Sequence, residues 1–154
     1  TTTLRIAELL TARNVNALTN GIAVAAALAE KPTVRHTLVG GVLRPSAGAV
    51  AGALAVENVA RFSVSTAFIG VTGLTADGIS VADHSEAQLK AAVLGRARRV
   101  VVPMDVSKLG INDFALVAPL DAVDMVITVD APPELVELCA EHGVELVDAD
   151  VSGG

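Results

Sequence analysis

The chain has 154 residues, 52% of them hydrophobic and 18% charged, which is typical of a globular domain with a real core and not of a disordered chain. The net charge of −6 comes without any stripe of Lys or Arg, which argues against nucleic-acid binding by these residues themselves. Only three Phe and no Trp or Tyr are present, so the chain offers no aromatic platform for stacking bases or sugar rings.

Several other classes of protein are disfavoured by what the sequence lacks. No signal peptide and no apolar run long enough to span a bilayer is found, and a cytoplasmic setting is the expectation. The single cysteine, Cys139, excludes a disulfide within one chain and is expected to be a buried small hydrophobe. His36, His84 and His142 show no metal-ligand spacing, and no nucleotide loop or nucleophile elbow occurs. We therefore expect neither a metal nor a cofactor.

Helical and strand patterns alternate along the chain. The predicted helices run from Leu4 to about Ala12, from Ile22 to Glu30, from about Ala53 to Arg61, from a start at Asp83–Lys90, and from Pro132-Pro133 to about His142. The predicted strands are Val15–Thr19, Val34–Val39, Ser65–Val71, Arg99–Met104, Met125–Val129 and Val144–Val147. The strand Val34–Val39 is expected to continue beyond Gly40-Gly41 as Val42–Pro45. The second helix is apolar on every side, so we expect it to be buried on most sides.

Continuous apolar strands that alternate with helices predict an α/β fold. The sheet should be mainly parallel, with about six strands and helices on both faces. We find no repeat or linker, and expect one domain over residues 1–151 followed by a disordered tail at 152–154.

Polar and glycine residues follow the predicted strand ends, where ligands bind in sheets of this type. They are Thr19, Asn20, Gly40, Gly41, Arg44, Gly70, Asp105 and Lys108, and all except Arg44 follow a strand end directly. Plainer interpretations exist for three of these positions. The glycine pair could be a strand break, Arg44 a solvated surface side chain, and Asp105 the start of an Asx-turn.

The stretch that begins at Asp83 combines a helix start with a pair of charges. Asp83 or Ser85 can cap the helix, and the three threonines Thr1 to Thr3 offer a similar start to the first helix. Glu86 and Lys90 are four residues apart, and the rest of their stripe is apolar, so we expect them to border a cavity. The alternative is an ordinary helical ion pair worth about 0.3–0.5 kcal/mol.

Seven short motifs occur in an order that resembles the C-terminal effector-binding domain of DeoR-type bacterial transcription repressors. The motifs are Thr1-Thr2-Thr3, Thr19-Asn20, Gly40-Gly41 with Leu43-Arg44, Gly52, Phe68-Ile69-Gly70, Glu86-Ala87 with Lys90, and Asp105 with Ser107-Lys108 and Gly110. His84, Ala91 and Thr72 depart from the residues usual in that family.

The resemblance implies a fold shared with ribose-5-phosphate isomerase, glucosamine-6-phosphate deaminase and CoA transferases. It also implies a phosphorylated sugar or related metabolite as effector, and a symmetric homo-oligomer. DNA would be bound only by an N-terminal winged helix-turn-helix, which this chain lacks together with the strand expected before Thr1. From the strand-end positions, the side-chain chemistry and this resemblance together, the ligand-binding residues we expect are Thr1, Thr2, Thr3, Thr19, Asn20, Gly40, Gly41, Arg44, Asp83, Glu86, Lys90, Asp105 and Lys108.

The residue types suit such a ligand. Backbone N–H groups and hydroxyls of the threonines and the glycine pair could hold a phosphate, with Arg44 or Lys108 as the cation. Two alternatives remain open. One is an isomerase or deaminase on the same fold, with Glu86 or Asp83 as the base and Lys90 stabilising an enediolate. The other is an oligomerisation domain that binds no ligand.

Overall fold

The computed structural model describes residues 2–149 and divides the chain into two compact units, Thr1–Phe62 and Ser63–Gly154. The elements of the first unit are α1 (Thr2–Leu9), β1 (Val15–Thr19), α2 (Ile22–Ala29), β2 (Val34–Leu38), β3 (Val42–Arg44), β4 (Ala49–Ala51) and α3 (Ala53–Val59). Thr1 and the predicted tail at 152–154 lie outside the described residues.

Strands β1 and β2 pair in parallel, in a register that runs from Val15 beside Val34 to Thr19 beside Leu38. Helix α2 is the crossover that a parallel pair requires. It packs through Leu28 against Val34 and Ala7, which form the small core of this unit. The expectation that α2 is buried on most sides is wrong, because only Leu28 of this helix is buried.

The prediction that the second strand continues beyond Gly40-Gly41 to Pro45 is wrong, because β2 ends at Leu38 and β3 is a separate strand of another sheet. After a turn at residues 45–48, β4 runs back along β3 and pairs with it in antiparallel fashion, with Leu43 beside Val50. Gly41 has a φ of +149°, and a Cβ atom there would lie 2.8 Å from Cγ1 of Val50. The glycine therefore permits both the backbone conformation and the close approach of the two strands.

The second unit holds most of the regular structure. Its elements are β5 (Val64–Phe68), β6 (Gly73–Thr75), β7 (Gly78–Val81), α4 (His84–Leu94), β8 (Ala97–Pro103), a 3-10 turn Val106–Lys108, β9 (Ala115–Ala118), a 3-10 turn Leu120–Ala122, β10 (Met125–Thr128), α5 (Pro133–Glu141) and β11 (Glu145–Asp148). Strands β11, β10, β8 and β5 form a parallel sheet in that order. The core of this second unit contains Leu74, Ile79, Val102, Val126 and Leu135, all almost completely buried.

The predicted α/β class with a parallel sheet is confirmed. All six predicted strands occur, but they form two sheets, the sheet of four and the pair β1–β2, and not the single sheet of about six strands that was predicted. The antiparallel sheet β6-β7-β9 is an addition that the apolar pattern did not predict. Gly78 allows β7 and β9 of this sheet to lie close together, because a Cβ atom at that position would lie 2.0 Å from the carbonyl oxygen of Ala118 in β9.

Cys139 is buried in α5, as predicted, and burial raises the pKa of its thiol. The thiol is therefore neutral and serves as a small core residue. Helix α5 begins at Pro133, and Gly143 follows its end with a φ of +67°, in agreement with the expected start and stop signals.

Candidate functional site

The carboxyl end of β1 is tied to the β3–β4 hairpin by Asn20. Its side-chain Nδ2 donates to the carbonyl oxygen of Val50 at 3.0 Å, and the Val50 N–H donates back to the Asn20 carbonyl at 2.8 Å. Thr19 is also engaged, since its hydroxyl oxygen accepts from the Gly21 N–H at 3.1 Å. Both predicted ligand residues therefore have fixed side chains at the end of a parallel strand, where ligand groups can be positioned.

Arg44 and the glycine pair belong to the same hairpin. Arg44 pairs with Ala49, which in turn forms a bridge to Gly21 next to Asn20. The arginine is half-buried and interacts with other residues, so it is not the solvated side chain of the plainer interpretation. Gly40 lies after the end of β2, where a Cβ atom would come within 3.2 Å of the Asn58 amide oxygen. Besides interrupting the strand, Gly40 and Gly41 therefore leave room for the side chains of Asn58 and Val50.

Two of the three predicted threonines can be placed. Thr2 and Thr3 form the first turn of α1, which carries no acidic side chain. Their backbone N–H groups and hydroxyls lie where a helix start favours negative charge. Thr1 is outside the described residues.

In the second unit, Lys90 joins α4 to the end of β5. Its ammonium lies 2.6 Å from the Glu86 carboxylate and 2.5 Å from the Gly70 carbonyl oxygen. The lysine side chain is only 19% exposed, whereas an ordinary helical ion pair lies in solvent. The pair with Glu86 agrees with the sequence interpretation, and the bond to Gly70 is an addition from the tertiary structure.

Asp83 is the N-cap of α4. Its side-chain oxygen accepts from the Glu86 N–H at 3.0 Å, which satisfies one of the free donors at the helix start. The cap fixes the first turn and so holds Glu86 in position for Lys90.

Asp105 and Lys108 follow the end of β8, which is the neighbour of β5 in the sheet. Asp105 accepts from the Ser107 N–H at 2.8 Å, so the Asx-turn of the plainer interpretation is present. This backbone hydrogen bond, with help from the Ser107 hydroxyl and the nearby Lys108 charge, lowers the pKa of the Asp105 carboxyl. The carboxylate is exposed, which leaves its remaining lone pairs available to a ligand.

A polar cluster of Thr72, Ser80 and Asp113 was missed from the sequence. The Thr72 hydroxyl donates to the Asp113 carboxylate at 2.6 Å, and the Asp113 N–H donates to the buried Ser80 hydroxyl at 2.9 Å. The Thr72 hydrogen bond, followed by that from the Phe114 N–H, lowers the pKa of Asp113. The only sequence signal was a run of turn-forming residues around each position, because the partners are 41 residues apart.

The structure thus assembles the predicted residues into local groups. Thr19, Asn20, Gly40 and Arg44 gather at the ends of β1 and β2, and Asp83, Glu86, Lys90 and Gly70 gather at the end of β5. Among residues 2–149 no group of three His, Cys, Asp or Glu side chains could hold a metal ion. The groups carry amides, hydroxyls, carboxylates and cations, which are the donors and acceptors that a hydroxylated anion requires.

Relatives of the chain are named as transcription regulators. A repressor from Bacillus subtilis, HTH-type transcriptional repressor GlcR, is 30% identical over 155 residues, covering 100% of this chain and 60% of the relative. The glycerol-3-phosphate regulon repressor of Escherichia coli is 30% identical over 141 residues, covering 90% of this chain and 56% of the relative. The putative aga operon transcriptional repressor of Escherichia coli O157:H7 is 30% identical over 150 residues, with coverage of 96% and 56%. The chain therefore spans a little over half the length of these relatives.

Two further findings bear on the kind of protein. In the part of the chain that the structure describes, no helix is both long and apolar enough to cross a bilayer. The family profile described as the DeoR C terminal sensor domain matches residues 1–130. Both the family and the relatives are regulatory, and neither supports the isomerase or deaminase alternative. The match covers most of the chain, and the chain belongs to the family of DeoR C-terminal sensor domains.

Proposed function

We propose that this chain senses a small phosphorylated sugar or a related metabolite on behalf of a DeoR-type transcription regulator. The observation that carries the proposal is the position of Lys90, a half-buried cation held at the carboxyl end of β5 by Glu86 and Gly70. The name of the glycerol-3-phosphate regulon repressor, one of its relatives, agrees with an effector of this chemistry.

The residues divide into two chemical roles. Phosphate oxygens would be bound by backbone N–H groups, hydroxyls and a cation, and sugar hydroxyls by amides and carboxylates. The first role is proposed for Thr1, Thr2, Thr3, Thr19, Gly40, Gly41, Arg44 and Lys108. The second is proposed for Asn20, Asp83, Glu86, Lys90 and Asp105. The whole of residues 1–151 is proposed to serve as this effector-binding region.

A thermal-shift titration of the purified chain tests the proposal. Glycerol 3-phosphate, glucose 6-phosphate and ribose 5-phosphate would each be compared with the unphosphorylated compound and with inorganic phosphate. A ligand that binds only the folded chain stabilises it by about 2.7 kcal/mol at a hundred times its Kd, so the right compound raises the unfolding midpoint. If no phosphorylated compound raises the midpoint more than its unphosphorylated counterpart, the proposal fails.

The regulatory step requires a ligand that prefers one of two arrangements of the protein, because a ligand with equal affinity for both does not change their populations.

We propose that DNA is bound by a winged helix-turn-helix outside residues 1–154, in the cytoplasm. The chain's net charge of −6 supports a separate DNA-binding segment. The codons upstream of Thr1 test this directly, and duplex DNA should not bind to the purified chain alone.

We also propose that the protein forms a homo-oligomer through the free edge of β9. This strand is at the edge of its sheet, and Phe114 and Leu116 are 84% and 55% exposed. Residues 109–120 carry a single charge, Asp113, whose carboxylate already accepts two hydrogen bonds. Two copies of a chain with a net charge of −6 can therefore approach here with little repulsion, and an antiparallel edge can pair with itself about a two-fold axis.

Sedimentation analysis distinguishes this interface from others. Leu116→Lys should shift the protein towards the monomer, because it places a charge in the middle of the proposed contact. Val136→Lys is the matched control, since Val136 is 49% exposed on α5. Leu116→Lys protein that sediments like the wild type would exclude the β9 edge.

A further inference from the structure

A groove of about 370 Å³ lies at the amino ends of β5 and β8, in the second unit. Two serines, Ser63 and Ser65, and two arginines, Arg96 and Arg98, are among its lining residues. The volume is within the roughly 300–1,000 Å³ of small-molecule sites. None of the residues lining the groove is acidic.

The strand register explains why these four side chains occur together. Strands β5 and β8 are parallel, with Val64 beside Ala97 and the Val64 N–H bonded to the Arg96 carbonyl. Ser63 therefore lies beside Arg96, and its hydroxyl oxygen accepts from the Arg96 guanidinium at 2.9 Å. Residues two apart on a strand share a face, which adds Ser65 and Arg98 on the same side as the first pair.

Of the two arginines that line the groove, Arg98 is the one whose charge is available to a ligand. Arg98 is exposed, and its side chain forms no hydrogen bond or ion pair with any residue in the described range 2–149. The next residue, Arg99, points to the other face and pairs with Glu145 at 2.9 Å. A chain with a net charge of −6 thus keeps a local site with two guanidinium groups and no carboxylate.

We propose that this groove binds a small phosphate-bearing anion. Guanidinium groups match phosphate oxygens with two parallel hydrogen bonds, and serine hydroxyls supply further donors. Within the second unit the site is distinct from the group of Asp83, Glu86 and Lys90 at the carboxyl end of β5, because Ser63 and Gly70 lie at opposite ends of this strand. At about 3.3 Å per residue the seven steps between them span roughly 23 Å.

Calorimetric titration of the purified chain with inorganic pyrophosphate tests the assignment. Arg98→Gln should weaken binding roughly ten- to a hundred-fold, because it removes a charge-assisted contact. Arg99→Gln is the matched control, since it removes a neighbouring charge that faces away from the groove, and it should bind within about two-fold of the wild type. In the wild type, pyrophosphate should shift the amide resonances of Ser63 and Ser65. Circular dichroism establishes that each variant is folded.

Three outcomes would overturn the proposal. The first is no saturable binding of pyrophosphate, and the second is equal weakening in Arg98→Gln and Arg99→Gln, which indicates attraction to general charge. The third is loss of pyrophosphate binding in Lys90→Met, which would place the anion at the carboxyl ends of the strands. A 20-base-pair DNA duplex separates the sources of phosphate: binding of the duplex that depends on Arg98, without binding of pyrophosphate, would exclude a small anion.

Discussion

The ammonium group of Lys90 lies 2.5 Å from the carbonyl oxygen of Gly70, a residue 20 positions earlier in the chain. Through this bond one cation connects the second turn of α4 to the loop that leaves β5. Two residues further on, the same loop reaches Thr72, which is bonded to Asp113. A ligand that attracts Lys90 would therefore compete with a bond that holds this loop.

Replacement of Lys90 by Met should weaken effector binding by about 1.5–3 kcal/mol, or roughly ten- to a hundred-fold, because a charge-assisted hydrogen bond is lost. The free energy of unfolding should fall by about 1–2 kcal/mol, since the Gly70 carbonyl loses its partner. Calorimetric titration with the metabolite identified by thermal shift, together with urea unfolding, measures both effects.

Lys31→Met is the control for this change. The Lys31 ammonium also donates to a backbone carbonyl, that of Glu8 at 2.8 Å, but in an exposed setting. Its loss should cost less than about 1 kcal/mol and leave effector affinity unchanged. Equal affinities of wild type and Lys90→Met would remove Lys90 from the binding site.

Asp113 should contribute to acid sensitivity. The Thr72 hydroxyl, and then the Phe114 N–H, lower the pKa of this carboxyl in the folded state. A depressed folded pKa gives stability that is present above the unfolded value of about 3.9 and is lost as the pH falls through the folded value. The free energy of unfolding should therefore fall less steeply below about pH 4 in Asp113→Asn than in the wild type.

Urea unfolding between neutral and acid pH measures this effect. Part of the decline should survive in Asp113→Asn, because the pKa of Asp105 is lowered too. An unchanged acid limb in Asp113→Asn would mean that its hydrogen bond with Thr72 does not form in solution.

Gly73→Ala should be strongly destabilising. A Cβ atom at this position would lie 2.2 Å from the carbonyl oxygen of Ile111, and a backbone atom cannot turn away as a side chain can. Overpacking costs about 1–3 kcal/mol, and we expect at least about 2 kcal/mol here.

Gly95→Ala provides the comparison, since its nearest neighbour would be 3.5 Å away and its φ is −65°. Alanine should be neutral there or stabilise by about 0.4–1 kcal/mol. Thermal unfolding of the two variants should give shifts of opposite sign or very different size. Similar shifts would show that the segment containing Ile111 can move away.

Thr128→Val should stabilise the protein by about 1 kcal/mol, because a buried hydroxyl without a partner costs about 1–3 kcal/mol. Thr128 is 2% exposed, and its Oγ1 has no hydrogen-bond partner among the described residues. Ser80→Ala is the opposite case, since the Ser80 hydroxyl accepts from the Asp113 N–H. That change should destabilise by about 1–2 kcal/mol in urea unfolding. Destabilisation by Thr128→Val would reveal a partner for its hydroxyl.

Interactions between near neighbours in the sequence were predictable without the structure. Strand β1 has the predicted bounds, Val15–Thr19, because an apolar run between turn residues is a local signal. Asp83 caps α4 and Glu86 meets Lys90 because both relationships follow from the spacing of residues on one helix. The order of short motifs was likewise enough to predict the family that the profile match shows.

Contacts between distant segments were decided by the tertiary structure alone. Strands β3, β4 and β6 have three residues each, too few to show a period, and they exist because a partner strand supplies their hydrogen bonds. The Gly70 carbonyl that receives Lys90 and the Asp113 carboxylate that receives Thr72 have no signature in their own neighbourhoods. The sequence determined which residue types stand at the strand ends, whereas packing determined which of their atoms meet, because hydrogen-bond partners are chosen by position in space and not by distance along the chain.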